Sequence, residues 1–74
     1  MKNLNSKQTK EALSRAIDAA GSQAVLAGKV GVLQSTISKW LTGRVKLTAE
    51  RAVDIERAVS AKVSRRELRP DLFA

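Results

Sequence analysis

SQAVLAGKVGVLQSTISKWLTG, residues 22–43, decides the fold. Ser22 is a residue that caps helix starts, Gly43 is one that stops helices, and Gly31 interrupts an otherwise helical pattern between them. The spacing predicts a helix over Gln23–Val30, a tight turn at Gly31, and a second helix from Gln34 to Leu41 or Thr42. Ala27, four residues before Gly31, is small enough for two helices to cross closely, and Gly31 tolerates the positive φ of a sharp corner. Ile37, Trp40 and Leu41 share one face of the second helix and read as core. The other face carries Gln34, Ser35, Ser38 and Lys39, side chains able to hydrogen-bond to base edges in a DNA major groove. This is the layout of a helix-turn-helix.

Working outward, Asn5 or Ser6 is expected to cap a first helix running to about Ala20, with Leu13, Ala16, Ile17 and Ala20 on one apolar face. Gly21 stops it, and residues 1–5 read as a short polar arm. Downstream, residues 44–47 form a linking loop. Thr48 opens a fourth helix with Glu50 in its first turn, where a carboxylate complements the helix dipole. Ala52, Ile55, Ala58 and Val59 form its buried stripe, and it is expected to fade near Ser60. Ser64-Arg65-Arg66-Glu67 is a capping box for a brief fifth helix that Pro70 terminates. There is no internal repeat or low-complexity segment. The fold class expected is all-α, five short helices in a single domain over residues 1–74.

At 74 residues the chain is near the lower limit for folding on one hydrophobic core. Trp40 and Phe73 are its only aromatic residues, so Ala, Val, Leu and Ile must build that core. Fourteen Lys and Arg face seven Asp and Glu, a formal charge of +7. Placement matters more than the total: between Asp18 and Glu50 there is no acid, while Lys29, Lys39, Arg44 and Lys46 all lie in that gap. A basic, acid-free stretch centred on the second helix of the motif is the footprint of a polyanion site.

Several classes fall away. Without cysteine there is no disulfide or thiolate metal site, and without histidine neither the usual zinc sets nor imidazole acid–base chemistry. The acids sit on ordinary helix surfaces and no nucleophile–base pair can be assembled, so neither an enzyme nor a cofactor is expected. No apolar run approaches the roughly 18–20 residues of a membrane span, and MKNLNSKQTK has no signal-peptide core. The expectation is a cytoplasmic, nucleoid-associated protein with no membrane partner. An RNA-binding or membrane-surface peptide is a third class, but RNA readers usually present exposed aromatics for stacking, and none is on offer beyond Trp40 and Phe73.

Each candidate contact has its own chemistry. Gln23, first in its helix, can offer its amide and the helix N-terminus to a phosphate. Gln34 can bridge adenine N6 and N7. Ser35 and Ser38 suit bases or phosphates, and Thr36 is taken with them. Lys39 is a base or phosphate contact from mid-helix. Arg44 and Lys46 in the following loop, and Lys29 on the preceding helix, suit backbone phosphates.

The string Gln23…Ala27…Gly31…Ile37…Trp40…Gly43 resembles the helix-turn-helix of the lambda-repressor-like superfamily. AERAVDIERAVSAKVSRRELRPDLF, residues 49–73, is similar to the C-terminal half of Cro-like phage repressors and the related YdaS-type antitoxins. The resemblance rests on Ala49-Glu50-Arg51, Ile55-Glu56-Arg57-Ala58, Val63 and Glu67-Leu68-Arg69-Pro70-Asp71. It implies an all-helical transcriptional repressor from a phage or prophage, holding double-stranded operator DNA through Gln23, Gln34, Ser35, Ser38 and Lys39. It implies a homodimer at least on DNA. The alternative is a DNA-binding antitoxin with a toxin partner.

Two positions depart from the family. Leu33 stands where many relatives place a capping serine, and Gly28 lies inside a helix where alanine is more usual. Leu33 either packs on the domain or serves an outside contact; Gly28 either permits close backbone approach or is neutral. The tail leaves two readings open: Leu72 and Phe73 pair protomers, or they fold back to close the core.

Overall fold

Alanine at 12 and 16 and leucine at 13 give the first helix an inner face that takes another helix at close range, and a domain assembles around it. In the computed structural model, which describes residues 7–73, the elements are α1 (Lys7–Ala20), α2 (Gln23–Val30), α3 (Gln34–Leu41), α4 (Ala49–Ala58) and α5 (Arg65–Leu68). No strand occurs among the described residues. The fold is all-α, as expected, and the bounds anticipated for α2 and α3 hold. The proposed caps Asn5 and Ser6 lie outside the described residues.

Helix α1 packs on every other helix, whereas α3 packs only on α1 and α2. Leu13, Leu26, Ile37, Leu47, Ile55 and Leu68 are the largest apolar side chains sealed from solvent, with Trp40 almost so. Thr9 is buried among them, and its hydroxyl donates to the Leu68 carbonyl at 2.6 Å, tying α1 to α5. No buried side-chain nitrogen or oxygen among the described residues lacks a partner.

The caps are mostly as the sequence spells them. Ser22, Thr48 and Ser64 each accept the backbone N–H three residues on, from Val25, Arg51 and Glu67. The box at α5 is complete, since the Glu67 carboxylate accepts the Ser64 N–H at 2.9 Å. Leu33 caps α3 with no side-chain bond. One boundary differs from expectation: α4 ends at Ala58 instead of near Ser60. Ser60 and Ala61 take left-handed φ values of 53° and 63°, and the Ala61 N–H returns to the Glu56 carbonyl at 2.8 Å, which turns the chain towards α5.

Candidate nucleic-acid interface

The corner at Gly31 sets the direction of α3. Gly31 sits at φ 85°, ψ 32°, and its N–H and that of Val32 both close on the Ala27 carbonyl, at 2.8 and 3.0 Å. Any residue but glycine would be strained in this left-handed turn. Ala27 is 3% exposed. Ile37 and Trp40 then plug α3 into the core and Leu41 is half-buried. With that face spent on packing, helical geometry turns Gln34, Ser35, Ser38 and Lys39 to solvent, and all four are exposed. Thr36 lies at the margin, half-buried.

The loop after α3 folds back on the helix that precedes it. Gly43 takes φ 74°, and the Lys39 carbonyl accepts the N–H of Arg44 at 2.9 Å and of Val45 at 3.3 Å. The Thr42 hydroxyl donates to the carbonyls of Ser38 and Lys39 at 3.1 and 3.3 Å. Arg44 is thereby drawn beside the reading face, and Ser35, Ser38, Lys39, Thr42 and Arg44 line one open concavity. Thr42 was not singled out from sequence, although 35, 38, 39 and 42 follow the i, i+3, i+4, i+7 spacing of one helical face.

The remaining candidates are more dispersed. Gln23 is half-buried at the start of α2, Lys46 is exposed next to the sealed Leu47, and Lys29 is exposed in the last turn of α2. Lys29 borders a second concavity with Val30, Asp54, Arg57 and Ala58, away from the one that holds Arg44. In the tail, Phe73 packs against the core with the Arg65 guanidinium 5.7 Å from its ring centre, whereas Leu72 is 48% exposed. Gly28 has open space where a Cβ would stand, so no neighbouring backbone in the chain requires a glycine there.

The charges are sorted by region. The four ion pairs among the described residues are Arg15–Glu67, Arg51–Asp54, Arg65–Glu56 and Arg69–Asp71. Lys29, Lys39, Arg44 and Lys46 belong to none of them. Hydrogen bonds from the Arg65 side chain and N–H hold the Glu56 carboxyl below its usual range, and the Ser64 N–H with Arg15 does the same for Glu67. Two bonds from the Arg69 guanidinium, at 2.9 and 2.5 Å, bring Asp71 to about 2, with the charge of Lys46 adding to the effect. Arg69 also donates to the Leu47 carbonyl, anchoring the end of the basic loop. It is the one buried charged residue among those described; the sequence placed it in the Glu67–Asp71 motif of the resemblance but gave it no structural role.

No cluster of carboxylates among the described residues could hold a metal ion, and no described helix is long and apolar enough to cross a membrane. What the geometry offers is a polar and cationic helix face backed by core packing.

Fold and face together define a helix-turn-helix protein of the DNA-binding type. The chain belongs to the family described as Bacterial toxin YdaS, whose profile matches residues 13–74. It is 35% identical over 66 residues to the "Putative transcriptional regulator YdaS" of Escherichia coli (strain K12), a match covering 89% of this chain and 67% of that protein. Among solved structures it is similar to the "Cro protein from putative prophage element Xfaso 1 in Xylella fastidiosa strain Ann-1". That match has a TM-score of 0.76 and 50% identity, covering 85% of this chain and 95% of the other. Both relatives are named as regulators or Cro, not as enzymes. The family resemblance read from Ala49-Glu50-Arg51 through Asp71 therefore holds.

Proposed function

We propose that this chain is a sequence-specific DNA-binding repressor of the Cro type, which lays α3 in the major groove of an operator. The observation that carries this is the split of α3: Ile37 and Trp40 are sealed in the core, while Gln34, Ser35, Ser38 and Lys39 face solvent beside Arg44. The 50% identity to a Cro protein supports it. In this reading Gln34 and Lys39 contact bases, and Ser35, Thr36 and Ser38 contact bases or the flanking phosphates. Gln23, Lys29, Arg44 and Lys46 hold the backbone. Blocking polymerase by occupancy needs no cofactor and no chemistry. The role places the protein on DNA in the bacterial cytoplasm.

One such domain reads few base pairs, so operator binding as a two-fold pair on half-sites about 34 Å apart belongs to the same reading. Leu72, exposed where Phe73 is committed to the core, is the better placed of the two tail residues to meet a second protomer. The family's description as a bacterial toxin favours one alternative, membership of a toxin–antitoxin pair in which this chain binds DNA and a protein partner. Reporter repression by the chain alone supports the repressor; restored growth against a toxin encoded next to it supports the alternative.

The direct test is selection of bound duplexes from a random DNA pool, followed by titration of the enriched duplex against salt. Log K is expected to fall with log salt by about 0.9 for each phosphate neutralised. A flat titration between low and physiological salt would remove the nucleic-acid reading.

A further inference from the structure

Leu33 is the residue that the fold leaves without a purpose. Its side chain is 73% exposed, well above Leu72 at 48%, Val25 at 44% and Val45 at 42%, the other large apolar side chains that face solvent among the described residues. It occupies the N-cap of α3, with extended backbone at φ −77° and ψ 152°, yet contributes no side-chain bond. Only its carbonyl is used, accepting the N–H of Thr36 at 3.0 Å and of Ile37 at 3.4 Å. The same chain caps α2, α4 and α5 with Ser22, Thr48 and Ser64, so the lapse at α3 is local. A leucine here gives the folded domain neither a cap nor core packing, and it lies directly ahead of Gln34 and Ser35. In helix-turn-helix docking, the N-terminal residues of the reading helix approach base edges. The apolar group on the base edges of the major groove is the C5 methyl of thymine.

Building on the operator-binding reading, we infer that Leu33 is a specificity-determining residue that packs against a thymine methyl next to the base contacted by Gln34. The neighbouring Arg44 would hold the backbone while the leucine and glutamine discriminate adjacent pairs, one by apolar contact and one by hydrogen bonds. Exchanging the leucine for a capping residue would strengthen the helix start and lose the discrimination. Stability and specificity are thus set against each other at a single side chain.

The test uses the full chain and the duplex enriched from a random pool, resynthesised with deoxyuridine in place of thymine at one position at a time. Wild type is expected to bind about fourfold more weakly when the uracil falls at one position in each half-site, the weight of one methyl-sized group returned to water. Leu33→Ala and Leu33→Ser are expected to bind the thymine and uracil forms of that position equally. They should keep the wild-type response at all other thymines. Leu33→Ser is also expected to melt higher than wild type, which separates lost contact from lost fold. If wild type ignores uracil everywhere, or the variants discriminate as wild type does, the inference is overturned while DNA binding stands. If no duplex is enriched at all, the DNA reading itself falls and this inference with it.

Discussion

Residues 22–47 and residues 48–73 are built on opposite electrostatic plans. Every ion pair among the described residues has a member in the second region and none has a member in the first. The second region pairs Asp54, Glu56 and Asp71 with its own arginines and Glu67 with Arg15 of α1; the first has no acid to spend. The difference has a physical consequence. A lysine or arginine already paired within the chain must break that pair before it can neutralise a phosphate, whereas Lys39 and Arg44 meet an incoming anion with no such cost. The helix starts differ in part: Thr48 and Ser64 cap both helices of the second region, whereas in the first Ser22 caps α2 but exposed Leu33 leaves α3 without a side-chain cap. One region is arranged to hold itself together, and the other is held by its neighbours while its surface is kept for something outside.

The strongest way to break this contrast is to make one truncation in both regions. Leu68→Ala, from a side chain fully sealed in the core, is expected to cost about 2–5 kcal/mol of stability. Leu33→Ala, from a side chain 73% exposed, is expected to fall within about 0.5 kcal/mol of wild type. Chemical denaturation of the two variants measures both. Similar losses would mean that Leu33 is part of the core and that the regions do not differ in kind.

Arg69 tests how the regions are joined, because its buried guanidinium ties the tail to the Leu47 carbonyl at the end of the basic loop. Arg69→Ala is expected to cost about 1.5–3 kcal/mol, the range for a hydrogen bond made by a charged group. DNA affinity should drop alongside, measured on protein still folded at low temperature, as the loop bearing Arg44 and Lys46 loosens. Unchanged affinity in a destabilised variant would show that the loop is held without the tail.

Smaller effects of the opposite sign are expected in the first region, where stability has been left unclaimed. Leu33→Ser should add about 1 kcal/mol by supplying a cap. Gly28→Ala should add about 0.4–1 kcal/mol, since its Cβ enters open space on an ordinary helical backbone. Thermal melts of each variant check this, and a lower melting temperature for either would contradict the geometry described.

The smallest effect is that of pH, and it should fall on the second region. Glu56, Glu67 and Asp71 have carboxyls held below their usual range, so the folded chain binds protons less readily there than the unfolded chain does. Their contribution is complete above the ordinary carboxylate range, about 4, and is lost as pH falls from there towards the about 2 of Asp71. Melting temperatures measured between about pH 6 and pH 2 should decline in that window, and Asp71→Asn should decline less steeply.

Much of this was legible in the residue order because local chemistry and packing agree. Ser22, Gly31, Gly43, Thr48 and Ser64 each fix a helix end through the conformation or bond that residue type favours, and the structure uses them so. Long-range features were not legible. Leu47 sits in a loop, yet its side chain is sealed in the core and its carbonyl accepts from Arg69, 22 residues away. Thr9 reads as surface until its hydroxyl is seen against the Leu68 carbonyl, 59 residues away. Ser60 and Ala61 carry no glycine signal for the left-handed turn they make, which leads the chain into α5 where it packs on α1 and α4. At the candidate interface, the exposed face of α3 follows from spacing alone. The approach of Arg44 to it depends on the Lys39 carbonyl and could not be read in advance.

The central claim is that α3 reads bases while the loop after it grips the backbone, and Gln34→Ala compared with Arg44→Ala tests it most directly. Both variants would be titrated against the selected operator and against a panel with every base pair changed singly. The expected result is that Gln34→Ala loses about 1–3 kcal/mol at one position and ceases to discriminate there, while Arg44→Ala weakens every duplex alike and lowers the salt slope by about 1. Identical profiles for the two variants across the panel would contradict it.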